Sequence, residues 1–501
     1  MIVSRIMFAI LLMAATTRAP TPSSAAAAPD TGAIDRYVAA QLAAQRVPGL
    51  ALAIVHNDRV VYAKGYGSAA DGQPATPQTQ FFIASLSKSI TALAVMQLAE
   101  AGALDLDAPV QHYLPEFTLA NPDHAARLTL RQLLNQVSGL SDASFAESVL
   151  PQPANLSERV AGLRRARPVA PPGAEFHYFN PNYQVLARVV EVVSGQPFSS
   201  YLQSHIFAPL HMNDTFNADT TAAGMQRAVR LAQGHLVIFG QPVAARELHG
   251  FVSGEGGVIS TAADMARFLV MQLNGGRLDG AALASPAAIA AMHTPPQQPD
   301  SHYAMGWFAQ GAGKSRTIEH NGVLSTFYSE AVLLPESGYG FVLLANANGA
   351  SSAFVGYSEI KRGLIALLSG ATPTSAPVGV GTLGLLLGLI TLIGGALALR
   401  SLLRAPGWLQ RARDKPWYWL AAAIVWPLVP GIVLLALPAL LVPLADRSFG
   451  HGILARSMPM CSSGLRCVAR SARFNAGICL VLLGRARSTR RVEAQQRAIA
   501  V

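Results

Sequence analysis

The chain has 501 residues, enough for one large domain or two to three average ones. It is 51% hydrophobic and 13% charged, too apolar for an ordinary soluble protein, so apolar segments must lie beside a globular core. The net charge of +10 is not a nucleic-acid signal. From Arg400 onward there are 15 basic and 3 acidic residues, which leaves 23 basic against 25 acidic before that point.

Residues 1–28 place Arg5 first, then the apolar run "IMFAILLMAA", then small residues through "SSAAAA". That is the order of a secretory signal, with cleavage expected near Ala25 to Ala28; a buried first helix is the competing reading. The body then runs over residues 30–370. In it "GLALAIVHNDRVVYAKGYG" reads as a β-hairpin turning at Asn57-Asp58. "FFIASLSKSITALAVMQLAEAG" reads as a helix apolar nearly all round, hence buried, yet it opens with three serines and Lys88. "LTLRQLLNQVSGL" carries a Thr129/Gln132 capping box and a Gly139 stop, and "STAADMARFLVMQL" repeats the box with Thr261 and Asp264. "RTIEH", "FYSEAVLL" and "GFVLLAN" read as three strands, with a turn at "PESGYG", and residues 352–368 read as helical. Strands at both ends of a helical middle predict an antiparallel sheet built from the two termini around a helical insertion.

Beyond a linker at 371–377, residues 378–399 run without a charge and are long enough to span a bilayer. A second apolar segment, 417–444, holds Pro427, Pro430, Pro438 and Pro443 and reads as a kinked span. The loop between them, 400–416, has Arg400, Arg404, Arg411, Arg413 and Lys415 against Asp414 alone, which predicts that it is cytoplasmic. The body is then extracytoplasmic on a cell membrane, the orientation that the leader also predicts. Residues 445–501 form a basic tail with one short apolar run, either a degenerate third span or unfolded. Cys461, Cys467 and Cys479 all fall in that tail, so the body has no disulfide.

Lys88 is one of five lysines in a chain that otherwise uses arginine. A desolvated lysine can give up its proton near neutrality, which arginine cannot. Ser85 lies three residues earlier, on the same helical face, at a helix N-terminus that favours developing negative charge. A serine beside an amine base is an acylation apparatus, although a capping serine and a snorkelling lysine give the same spacing. Ser358 and Lys361 repeat that spacing by chance. Tyr178 and Asn180 sit in a turn ahead of an apolar helix, where a hydroxyl can shuttle protons and an amide can orient a carbonyl. His320, Asn321 and Gly322 end a strand, offering a titratable handle and an open edge, or merely a satisfied structural histidine. "GAGKS" at Gly311 is no P-loop, because the earlier glycine it needs is Phe308. No His/Cys/Asp spacing implies a metal, and no cofactor is expected.

Taken together, Ser-x-x-Lys, Tyr-x-Asn and His-x-Gly in this order resemble the serine β-lactamase and penicillin-binding-protein superfamily, in its class C β-lactamase-like branch. Flanks such as "SLSKSITALAVMQLAEAGALDLDAPVQHYLPEF" and "GEGGVISTAADMARFLVMQLNGG" are similar to the same branch, and the likeness covers about Ala33 to Asn348. The resemblance implies an α/β sandwich (an α+β fold) with an antiparallel sheet flanked by helices plus an all-helical lobe, to which the C-terminal transmembrane helices are added. It implies Ser85 as nucleophile, Lys88 as its proton acceptor and Tyr178 as the group that assists acylation and activates water. Asn180 would hold the substrate amide, His320 would replace the usual lysine, and Gly322 would open the strand edge. The N–H groups of Ser85 and Val323 would form an oxyanion hole worth about 3–4 kcal/mol per donor.

Two departures stand out. A histidine in place of lysine implies a charge that fades above about pH 6.5, loosening carboxylate-bearing substrates. Ser325-Thr326 occupies a position where this branch commonly carries Pro-Gly. The expectation is a membrane-anchored serine hydrolase of β-lactam, D-Ala-D-Ala peptide or ester bonds, acting on a small-molecule or peptide acyl substrate without nucleic acid or metal. A catalytically silent scaffold of the same fold is the rival.

Overall fold

The computed structural model describes residues 29–147, 150–238, 240–297, 301–349, 352 and 356–374, with five isolated positions between 389 and 400. The predicted leader, both apolar spans, the basic loop, the tail and the end of the linker lie outside the described residues, those isolated positions apart. Among the described residues no helix is long and apolar enough to cross a membrane.

The predicted hairpin forms as β1 (Gly49–His56) and β2 (Arg59–Ala70), with Asn57 taking the left-handed conformation that the tight turn requires. β3 (Gln73–Pro74), β4 (Phe308–Gln310), β5 (Thr317–Val323), β6 (Tyr328–Leu334) and β7 (Tyr339–Ala345) complete a seven-stranded sheet in the order β4-β5-β6-β7-β1-β2-β3. The first and last long strands are neighbours, antiparallel from Leu50 opposite Ala345 to His56 opposite Tyr339. The expectation of a sheet assembled from both ends of the chain is therefore met. Every regular element described between Ser87 and Phe207 is helical.

Strand β1 is buried on both faces, and its period-two alternation divides the core. Leu50, Leu52 and Ile54 face one apolar cluster, with Ile34, Val38 and Leu42 of α1 (Thr31–Gln45) and Ile360 and Leu364 of a C-terminal helix, Tyr357–Leu368. Ala51, Ala53 and Val55 face the other, with α2 (Ser87–Glu100), α3 (Asn180–Ser194) and α4 (Ala262–Leu273). The small alanines let α4 pack directly on β1 and β7. The Thr129/Gln132 capping box forms in full, but its helix ends at Leu134, well before Gly139. At Thr261 only half of the box forms. Thr261 accepts from the Asp264 amide, while the Asp264 carboxylate turns to the Asp214 amide and the Thr215 hydroxyl.

Asp35 of α1 ties the helix to β2 through the Tyr62 hydroxyl, the Tyr66 hydroxyl (2.8 Å) and the Lys64 ammonium (2.9 Å). The hydrogen bonds from Tyr62 and Lys64 hold its carboxyl down to about 2. A carboxylate depressed on folding contributes stability above its ordinary value near 3.8, and that contribution is lost as pH falls towards 2. In thermal melts from pH 5 to pH 2, the wild type should lose more melting temperature than Asp35→Asn.

Candidate active site

The turn before α2 is a single 3-10 turn, Ala84–Leu86, in which Ala84 is left-handed at φ 47°. A non-glycine residue there costs about 1–2 kcal/mol, so its surroundings must hold it. They do so from three sides. The Ile83 amide donates to Val258 O (3.0 Å), Ser329 Oγ donates to Ile83 O (2.6 Å), and the Val258 amide donates to Ser87 Oγ (3.1 Å). Between residues 81 and 96, Ser85 alone is not buried. The three serines thus divide the work: Ser85 keeps partial exposure, Ser87 fixes a neighbouring strand, and Ser89 donates to Leu86 O (2.8 Å).

Gly322 has a different use from the one expected. A Cβ added there would stand 2.1 Å from Ile83 O, so the glycine lets β5 close on the turn that carries Ser85 rather than opening an edge to a ligand. Val323, the next residue, is 38% exposed beside this junction.

Lys88 is completely buried, as the apolar helix predicted, and does not escape to solvent. Its Nζ lies 3.1 Å from Ser85 Oγ, 2.9 Å from Asn180 Oδ1, 2.9 Å from the main-chain oxygen of Glu255 and 3.0 Å from Glu255 Oε2. The Tyr178 ring stands over it, with the centroid 5.0 Å from Nζ, a cation–π distance. Asn180 begins α3, and its Nδ2 donates to Glu147 Oε1 (2.9 Å), which turns Oδ1 towards Lys88. Glu147 Oε2 lies 3.7 Å from buried Arg159. Burial and the nearby Glu255 charge push the Glu147 carboxyl up to about 7, against the pull of Arg159 and Asn180.

The Tyr178–Asn180 turn is positioned by Gln136, itself left-handed at φ 58°. Its side-chain oxygen accepts from the Phe179 amide (3.1 Å) and Asn182 Nδ2 (2.6 Å), and its carbonyl accepts from the His177 amide (2.9 Å). The "NQVSG" segment therefore serves the site, a role that its capping pattern did not disclose.

His320 corrects another expectation. It is 1% exposed; Nδ1 lies 2.7 Å from Asn321 O, which can only accept, so Nδ1 carries hydrogen, and Nε2 lies 3.2 Å from the Tyr303 hydroxyl. Tyr303 and Phe308 also pack against its ring. It is packed into a wall rather than standing exposed at the strand end as its triplet suggests. The Ser325-Thr326 departure also has a local partner: buried Glu247 accepts from the Thr326 amide (2.8 Å), the Thr326 hydroxyl (2.6 Å), the Ser325 amide (3.2 Å) and the Ser325 hydroxyl. The Lys361 of the accidental Ser-x-x-Lys pairs instead with Glu319 (2.8 Å) and Glu330 (3.5 Å).

The structure thus brings Ser85, Lys88, Tyr178 and Asn180 together and places Gly322 and Val323 beside the serine turn. It adds Glu255, Glu147, Arg159, Gln136 and Glu247, none of which spacing had singled out. Among the described residues no group of His, Cys, Asp and Glu could hold a metal ion.

An antiparallel sheet that seats a Ser-x-x-Lys turn against a Tyr-x-Asn turn defines the serine β-lactamase and penicillin-binding-protein superfamily. The chain belongs to the Beta-lactamase family, which it matches over residues 34–362. Protein flp of Staphylococcus aureus (strain COL) is 28% identical over 320 residues, 63% of this chain; the chain spans 63% of the length of that relative. Penicillin-binding protein 4 of Amycolatopsis lactamdurans is 30% identical over 339 residues, 65% of this chain and 86% of the relative. Among solved structures, the octameric penicillin-binding protein homologue from Pyrococcus abyssi superposes with a TM-score of 0.59 at 27% identity, covering 69% of this chain and 78% of the other.

Because the clash at Gly322 is with backbone, Gly322→Ala should displace the Ser85 turn and cost about 1–3 kcal/mol of stability. A drop in the denaturation midpoint with unchanged m-value checks it.

Proposed function

We propose that this protein is a serine acyl hydrolase that forms an acyl-enzyme on Ser85. One observation carries the reading: the half-buried Ser85 hydroxyl lies 3.1 Å from the amine of a wholly buried lysine. Lys88 takes the hydroxyl proton as Oγ attacks the acyl carbon, Asn180 orients the substrate amide or ester, and Tyr178 passes protons to the leaving group and from water. The amides of Ser85 and Val323 receive the oxyanion. His320 and Gly322 act from behind, as a packed wall and as the seat of the serine turn.

The substrate class follows from that wall. The His320 ring is buried and packed against Tyr303 and Phe308, so it stands back from the β5 edge, which supports neutral esters and amides over substrates selected by a carboxylate. Similarity to Penicillin-binding protein 4 supports a penicilloyl or peptidyl adduct as a further capability. The charge-free run at 378–399 and the basic loop after it support attachment to a cell membrane, with the hydrolase on the extracytoplasmic side.

A second reading has its own observation. An ammonium locked to the Glu255 carboxylate is a poor base, and that ion pair favours a silent scaffold that keeps the fold. Labelling separates the two. The wild type should be labelled by a fluorophosphonate and turn over p-nitrophenyl acetate, and Ser85→Ala should do neither. Lys88→Arg, which keeps the charge and loses the base, should lower kcat/KM by about 10²–10⁴-fold. An unlabelled, inactive wild type establishes the scaffold instead.

A further inference from the structure

Four oxygens surround Lys88 Nζ, but a lysine nitrogen has only three positions beyond its bond to carbon. Two are committed. Asn180 Oδ1, held in that orientation by Glu147, and the Glu255 main-chain oxygen can only accept, so each takes an N–H. The third position is left to Ser85 Oγ at 3.1 Å and Glu255 Oε2 at 3.0 Å, which must share it. The lysine side chain is fully buried, and that of Glu255 is 10% exposed. In such surroundings an ion pair bears a desolvation cost that the neutral pair, amine beside carboxylic acid, avoids.

We propose that Glu255 is the proton store of the site, taking the third ammonium proton of Lys88 and so freeing that nitrogen's lone pair for Ser85. This rests on the reading of Ser85 as nucleophile. In the first step the N–H bond breaks, an O–H bond forms on Glu255, and charge on both side chains is cancelled. In the second, Ser85 gives its proton to the lone pair as Oγ bonds to the acyl carbon, and the carbonyl electron pair moves onto oxygen. The recharged Lys88 supplies a proton for the leaving group by way of Tyr178, and Glu255 returns its proton to Lys88. No proton is exchanged with solvent before acylation. Glu255 acts through Lys88, so it is a positioning residue.

The charged and titratable groups facing this pair come from every element around it. Tyr178 and Tyr183 lie over Nζ at 5.0 and 5.8 Å, Glu147 reaches it through Asn180, and Arg159 stands behind Glu147. The Glu255 charge helps to raise Glu147, so the two carboxyls lie within electrostatic reach of each other.

The test is the pH profile of kcat/KM for p-nitrophenyl acetate, pH 5 to 10, on the full-length chain in detergent, with wild type, Glu255→Gln and Ser85→Ala. The wild type should hold a level rate through neutrality, since its proton moves internally. Glu255→Gln, whose lysine must lose its proton to water, should fall at least about tenfold below wild type at pH 6.5. It should recover about tenfold per pH unit, and that recovery also demonstrates a folded variant. If the glutamine variant does not fold, Glu255→Ala serves, because it keeps the main-chain oxygen on Lys88. Parallel profiles overturn the proposal, and so does a variant faster than wild type near neutrality, which makes Glu255 a brake. A wild type without Ser85-dependent labelling overturns the nucleophile reading and this inference with it, whereas labelling with parallel profiles sinks the inference alone.

Discussion

The site depends on the solvation of one buried ammonium. Lys88 is fully buried, the oxygens around Nζ come from the fold, and leaving a buried charge without its partner costs about 3–5 kcal/mol. The oxygens come from the turn before α2, the first residue of α3 and the segment just ahead of the strand Val258–Ser260. None of these is next to another in the chain. Satisfying the lysine therefore fixes three separate stretches at hydrogen-bond precision around the serine. The charges behind it, Glu147 and Arg159, hold the Asn180 amide in the orientation that the lysine needs.

The serine itself is held by backbone rather than by charge. Ala84 accepts an unfavourable conformation because Ile83 is bonded on one side to Val258 and on the other to Ser329, while Gly322 removes the side chain that would push the turn away. The sheet borders the serine turn through β5. It contributes position, through the close approach of β5, and an aromatic boundary made by Tyr303, Phe308 and His320.

What could be read from the sequence was local or periodic. The hairpin at Asn57-Asp58, the two-ended sheet, the buried α2 and the Ser85–Lys88 spacing all rest on residues within a turn or two of each other or on a repeated pattern. Tyr178 and Asn180 were found through their turn chemistry. What escaped was set by distance along the chain. Glu255 meets Lys88 across 167 residues, Glu147 meets Asn180 across 33, and Glu247 meets Thr326 across 79, separations that no local spacing encodes. The burial of His320 is hidden for a related reason: its triplet describes a polar strand end, and only tertiary packing puts three aromatic rings around it. At Thr261 the cap formed, but Asp264 found better donors in Asp214 and Thr215 than the backbone it was expected to serve.

The pairing of β1 with β7 has a consequence for the order in which the molecule comes into being. Bringing Leu50 beside Ala345 closes a loop of almost the whole described body, a slow, entropically opposed event that cannot occur until the last strands exist. A chain still being synthesised already contains Ser85 and Lys88. It lacks Glu255, the Ser329 hydroxyl that clamps Ile83, and the glycine on which the serine turn rests. The surroundings of Ser85 and Lys88 are thus completed only when the last strands take their places.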